Sequence, residues 1–123
     1  MKVLFVCVGN SCRSQMAEGL ARAMGLEAAS AGTHPADEVA PHALTLLHER
    51  GINTEGMRPQ RLDDFEPAHY DKVISMGCGV HCPAINIDED WGLDDPVGQA
   101  YVVYEQTAAE IERRLKLLIR HEA

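Results

Sequence analysis

Positive charge is scarce in this sequence. Eleven lysines and arginines face nineteen aspartates and glutamates, giving a net charge of −8 at pH 7 and a pI near 5.1. Such a chain makes a poor partner for nucleic acid or an anionic membrane, so any anion it holds must be met locally, by backbone donors and one or two cations. Long apolar runs are missing too. Residues 1–8 are apolar apart from Lys2, but Gly9, Asn10 and Ser11 break the run at once. It is too short for a signal peptide or a membrane span. There is no repeat, low-complexity tract or linker, and 123 residues leave room for one domain, 1–123, expected as a monomer. With no export signal, the four cysteines argue against a disulfide framework. They fit catalytic, redox or metal-binding thiols in a reducing compartment, the cytoplasm.

Residues 2–6 form a short run of strand formers ending in a glycine-bearing loop, as a strand buried on both faces does. From 14 to 24, Met16, Leu20, Ala23 and Met24 follow helical spacing, with Ser14 as cap and Gly25 as stop. A second strand is expected over 27–31. Pro41 suits the first turn of a helix to Arg50 whose inner face is Val39, Ala43, Leu46 and Leu47. Residues 53–69 read as loop with a helical turn around 62–65. Strands are expected at 72–76 and, shorter, at 84–87. The last helix puts Tyr104, Ala108, Ile111, Leu115 and Leu118 on one face, with Glu110–Arg114 and Glu112–Lys116 pairs outside. Strands alternating with helices imply an α/β three-layer sandwich around a four-stranded parallel sheet. Ligands of such folds bind beyond the carboxyl ends of the strands. Cys7, the 77–78 pair and the loop 88–96 all fall there.

Cys7-Val8-Gly9-Asn10-Ser11-Cys12-Arg13-Ser14 contains C-x5-R-S between a strand and a helix, where successive N–H groups can form an anion nest. A tetrahedral dianion needs several such donors. Gly9 and Asn10 tolerate the backbone angles that aim them, and Arg13 adds a planar fork that a lysine lacks. Donors and an arginine around a cysteine favour the thiolate, the nucleophilic form. The plainer alternative makes Cys7 a small core residue and Arg13 a surface charge. Asp95-Pro96 lies at another strand end, and an acidic pair before proline is ordinarily a turn.

The stretch CVGNSCRSQMAEGLARA at 7–23, SAGT at 30–33 and DDPVG at 94–98 resembles the low-molecular-weight protein-tyrosine phosphatase superfamily. Within it, the likeness is to the thiol-dependent arsenate reductases. It spans nearly the whole chain and is weakest across 53–69. The resemblance implies that Cys7 attacks arsenate held by residues 8–14, while Asp95 protonates the departing oxygen. It also gives Cys78 and Cys82 a task, since reducing As(V) to As(III) takes two electrons and a second thiol. Cys78 would take the sulfur of Cys7 and Cys82 would pass the disulfide outward. An external reductant, thioredoxin or a low-molecular-weight thiol system of the glutaredoxin or mycoredoxin type, would recycle the pair, with no bound cofactor. Members coupled to thioredoxin space these two thiols more widely than the C-x3-C here.

Two other readings of the pair remain. Cys78, His81 and Cys82 make a poor structural zinc set without a partner motif, so no metal is expected. The second thiol could instead be a bystander, with a small thiol attacking Cys7 directly. Cys12 reads as packing, Asn10 as a loop brace, Glu18 as a solvated helix charge and Trp91 as packing for the acid loop. Histidines 34, 42, 48, 69 and 121 read as surface or capping residues. A phosphatase would use Cys7, Arg13 and Asp95 alike, but Val97 stands where such enzymes place a tyrosine and the two extra thiols would be idle. A non-catalytic anion- or metal-responsive binding module would not depend on Cys7.

Overall fold

In a computed structural model of the chain, residues 1–77 and 86–122 are described. Strand β1 (Lys2–Cys7) is buried from its second residue onward. It pairs in parallel with β2 (Glu27–Gly32) on one side and β3 (Lys72–Ser75) on the other. The short β4 (Glu89–Asp90) adds to β3, so the sheet runs β2-β1-β3-β4, all parallel. A central parallel strand has protein against both faces, which is why 3–7 is a continuous apolar run and not an alternation.

The two faces of β1 enter different layers. Val3, Phe5 and Cys7 pack with the buried faces of helices α1 (Arg13–Ala23), α2 (Pro41–Glu49) and α3 (Tyr101–Glu122). Leu4 and Val6 join Ala31 and Val73 on the opposite face, covered by Leu62, Phe65, Tyr70 and Ile87. That third layer is thin, built around two 3-10 turns, Leu62–Asp64 and Pro67–His69. The stripe Tyr104, Ala108, Ile111, Leu115, Leu118 is buried as its spacing requires, and so are Val39, Ala43, Leu46 and Leu47.

Four local expectations are corrected. Ser14 does not cap α1, whose N-cap is Cys12; the Ser14 hydroxyl is engaged by Asn10 and Cys7 instead. Gly9 has no left-handed backbone, and Asn10 supplies the turn with φ 49°. The last strand falls at Glu89–Asp90, while 86 and 87 are not in a strand and 84–85 lie outside the described residues. Hydrophobic content misplaced it, because a two-residue edge strand needs only backbone pairing to Ile74 and Ser75. Glu112 pairs with Arg50 of the α2 end rather than within α3, whereas Glu110 meets both Arg113 and Arg114. Tertiary proximity offered Glu112 a partner that helical spacing could not reveal.

The register Cys7↔Gly32 brings β2 against the loop that follows β1. A Cβ on Gly32 would lie 2.6 Å from Val8 O and 3.0 Å from both Asn10 N and Asn10 Cβ. Backbone atoms cannot swing aside, so Gly32→Ala must displace the loop. Overpacking of this kind costs about 1–3 kcal/mol, which thermal unfolding would show as a Tm lowered by several degrees. An unchanged Tm would mean that the loop does not rest on Gly32.

Candidate anion-binding site

The loop between β1 and α1 is shaped from outside. Thr33 N–H donates to Cys7 O, His34 N–H to Val8 O, Ala36 N–H to Gly9 O and Ala40 N–H to Ser11 O, at 2.9–3.2 Å. The remaining carbonyl, Asn10 O, accepts from Gln15 Nε2 at 3.0 Å. In a planar trans peptide the N–H of the next residue points opposite to the carbonyl. Five carbonyls bonded outward therefore turn the N–H groups of residues 8–12 inward, toward the start of α1 and its positive helix end. The contribution of residues 33–40 was missed by sequence reasoning, because backbone donors leave no mark on residue type.

Asn10 is fully buried and braces this loop at every atom it offers. Its Oδ1 accepts from Gln60 N–H at 2.8 Å and Gln15 Nε2 at 3.0 Å, and its Nδ2 donates to Ser14 Oγ at 2.7 Å. The Gln60 amide can only donate, which fixes the orientation of the Asn10 side chain. Since Ser14 Oγ accepts from Asn10, its hydrogen is free to serve Cys7 Sγ, 2.9 Å away. The Asn10 N–H reaches the same sulfur at 3.2 Å. Two donors thus face Cys7, which is 2% exposed.

Arg13 is 4% exposed and is held from behind. Its Nη1 donates to Met76 O at 3.0 Å and Leu93 O at 2.7 Å, so the residue just after β3 and the loop after β4 fix its plane. Its Nη2 lies 3.7 Å from Asp95 Oδ2, on a side chain about half exposed. Its Nε is buried and has no hydrogen-bond partner among the described residues. A buried guanidinium donor left over costs stability unless an acceptor arrives.

The structure therefore brings Cys7, residues 8–14 and Asp95 together around one arginine. Cys78 and Cys82 lie outside the described residues, as does His81. Cys12 is buried, with Sγ 3.5 Å from Tyr104 Oη and 3.6 Å from Ser11 Oγ; burial pushes its thiol pKa up. Trp91 packs on Phe5 beside the acid loop, ring centroids 5.7 Å apart. His42 is exposed, as expected of a surface residue, and its ring meets Tyr101 and Tyr104 at 5.4 and 5.1 Å. A groove of about 480 Å³ beside the loop is lined by Ser11, Pro41, His42, Val97, Gln99 and Tyr104.

Glu18 is a correction as well. It is 5% exposed, accepts from Ser30 Oγ at 2.8 Å and pairs with Arg22 at 3.2 Å. Helical spacing placed it near the polar side, but β2 closes over it. Burial raises its carboxyl pKa, with Ser30 and Arg22 pulling the other way. A raised folded pKa means the native state holds the proton more tightly than the unfolded chain. That contribution is complete below the unfolded carboxylate pKa, about 4.3, and is lost as pH rises through the folded value. Glu18→Gln cannot ionise, so its Tm relative to wild type should rise between about pH 4 and pH 7. A difference that stays flat or falls would show that Arg22 and Ser30 outweigh burial.

The chain is similar in sequence and fold to proteins of known structure. The family model for low molecular weight phosphotyrosine protein phosphatase matches residues 2–122. The chain is 40% identical to the glutaredoxin arsenate reductase of Synechocystis sp., over 96% of this chain and 95% of that one. A structure described as an arsenate reductase in the phosphate binding state superposes with a TM-score of 0.89 at 38% identity, covering 99% of this chain and 98% of the other. The thioredoxin-dependent arsenate reductase of Corynebacterium glutamicum gives 0.81 at 35% identity, covering 98% of this chain and 60% of that one. Because the family model spans residues 2–122 of the chain, the chain belongs to the low molecular weight phosphotyrosine protein phosphatase family.

Proposed function

We propose that this chain is a cytoplasmic enzyme that reduces arsenate to arsenite, working as one domain over 1–123. The observation that carries the reading is the pairing of Cys7 Sγ, faced by two donors, with a buried Arg13 whose Nε is unpartnered among the described residues. Such a site accepts a tetrahedral oxyanion and presents a sulfur nucleophile to its centre. The match to relatives named as arsenate reductases, one of them in a phosphate binding state, supports arsenate as that oxyanion.

The Cys7 thiolate attacks As(V), forming an S–As bond. One As–O bond breaks and its oxygen leaves as water with a proton from Asp95. The inward N–H groups of 8–12 and the Arg13 fork hold the remaining oxygens as charge builds on them. Cys78 then attacks the sulfur of Cys7. An S–S bond forms, the S–As bond breaks, and its electron pair passes to arsenic, which departs as arsenite. Cys82 attacks Cys78, moving the disulfide to Cys78–Cys82 and returning Cys7 as a thiolate. An external dithiol, thioredoxin or a glutaredoxin- or mycoredoxin-type protein with its small thiol, reduces that disulfide. The names of the Synechocystis and Corynebacterium relatives include one reductant of each kind.

Purified protein with arsenate and each reductant system in turn should give reductant-dependent arsenite. Cys7→Ser should abolish it, and Asp95→Asn should lower kcat by about 10²-fold or more. Cys82→Ser should complete one turnover and stop, with mass spectrometry finding a Cys7–Cys78 disulfide in place of Cys78–Cys82. Normal steady turnover by Cys82→Ser would remove the relay. No arsenite with any reductant, alongside brisk hydrolysis of aryl phosphates, would make the enzyme a phosphatase.

A further inference from the structure

We propose that Gly77 is a positioning residue that seats the loop carrying Asp95, acting through the backbone of Leu93. The inference rests on the reading of Asp95 as proton donor. Gly77 follows β3 with φ 111°, and its N–H donates to Ser75 Oγ at 3.2 Å. A Cβ on it would lie 2.8 Å from Leu93 O, 3.1 Å from Leu93 N and 3.1 Å from Arg13 Nη1.

All three of those atoms are already committed. Leu93 N–H donates to Met76 O at 3.1 Å. Leu93 O accepts from Arg13 Nη1 at 2.7 Å, and the same Nη1 donates to Met76 O at 3.0 Å. Met76 O, the two polar atoms of Leu93 and Nη1 thus close a ring, with the α-carbon of Gly77 against it. No other residue type leaves room. Arg13 has a second anchor in Met76 O and a rigid mount in α1, so the compliant member of the ring is the Leu93 backbone. Asp95 is two residues further on, 3.7 Å from Arg13 Nη2. A methyl at position 77 displaces Leu93 and carries Asp95 off its place, which impairs proton delivery while leaving the anion loop intact.

Positive φ is itself a strain for alanine, and Gly25 provides the control. It has φ 90° just past the end of α1, and among the described residues nothing lies within 4 Å of a Cβ there. The experiment measures kcat and the KM for arsenate with the reductant that best sustains wild-type turnover, in Gly25→Ala, Gly77→Ala, Asp95→Asn and the double variant of the last two. Gly25→Ala should stay within about twofold of wild type, because strain without contact leaves the site in place. Gly77→Ala should lose about tenfold or more in kcat with KM little changed, the scale of a misplaced catalytic group. The double variant should be no slower than Asp95→Asn alone, since both changes act through one group.

Losses that multiply in the double variant, or a raised KM with kcat intact, would overturn the inference. If Asp95→Asn keeps wild-type kcat, the proton-donor reading falls and this inference with it. If Asp95→Asn is impaired and Gly77→Ala is not, only this inference falls. Should Gly77→Ala fail to fold, amide exchange decides. Arg13→Lys should speed exchange at the Leu93 amide and leave Trp91, which donates to Ser75 O at 2.8 Å, as in wild type. Equal protection of Leu93 in both proteins would remove the ring.

Discussion

Each peptide unit has a donor and an acceptor that point in opposite directions, and the site depends on how residues 7–11 divide them. Their carbonyls are bonded away from the site, four to backbone N–H groups between Thr33 and Ala40 and one to Gln15. The N–H groups have no choice but to face inward. This explains why the segment after β2 must lie where it does, and why Gly32, pressed on Val8 O, carries no side chain. It also explains Asn10. A left-handed residue is needed to turn the loop, and its amide then ties the turn to Ser14, Gln15 and Gln60 in one step.

A chain of net charge −8 repels an anion at long range, so attraction has to be made where water is excluded. Backbone donors and the α1 N-terminus supply partial charges that need no basic surface. Arg13 supplies the full charge. Its burial is tolerable because two carbonyls accept from Nη1 and Asp95 stands near Nη2. A lysine would offer a point charge with no fixed plane, and its donors could not serve two carbonyls and an oxyanion in set directions. The Nε left without a partner among the described residues marks a loss of stability that an acceptor would offset.

Much of this was legible in the residues. The central strand, α1, the C-x5-R-S loop and the inner faces of α2 and α3 all follow from apolar spacing and punctuation, because burial alone decides them. What was not legible depended on partners distant in sequence. Ser14 reads as a cap until Asn10, four residues back, claims its oxygen. Glu18 reads as a surface charge until Ser30 of β2 closes over it. The last strand is too short to carry a pattern of its own, and its place is set by pairing with Ile74 and Ser75. Residues 53–69 read as loop with one helical turn, yet within them Arg58 O and the backbone of Gln60 brace the anion loop from behind.

The two cysteines of the loop show why residue type was an incomplete guide. Cys7 and Cys12 are both buried, at 2% exposure each, and five residues apart. Burial by itself makes a thiol inert. At Cys12 nothing offsets it enough: a tyrosine hydroxyl and Ser11 are the neighbours, and the thiol is held in its protonated form. At Cys7 the Ser14 hydroxyl and the Asn10 N–H converge on the sulfur, and α1 begins beyond it. The difference is made by Asn10, which orients Ser14 and presents its own N–H, so the surroundings that set the two cysteines apart are an effect of the left-handed turn as much as of residue type.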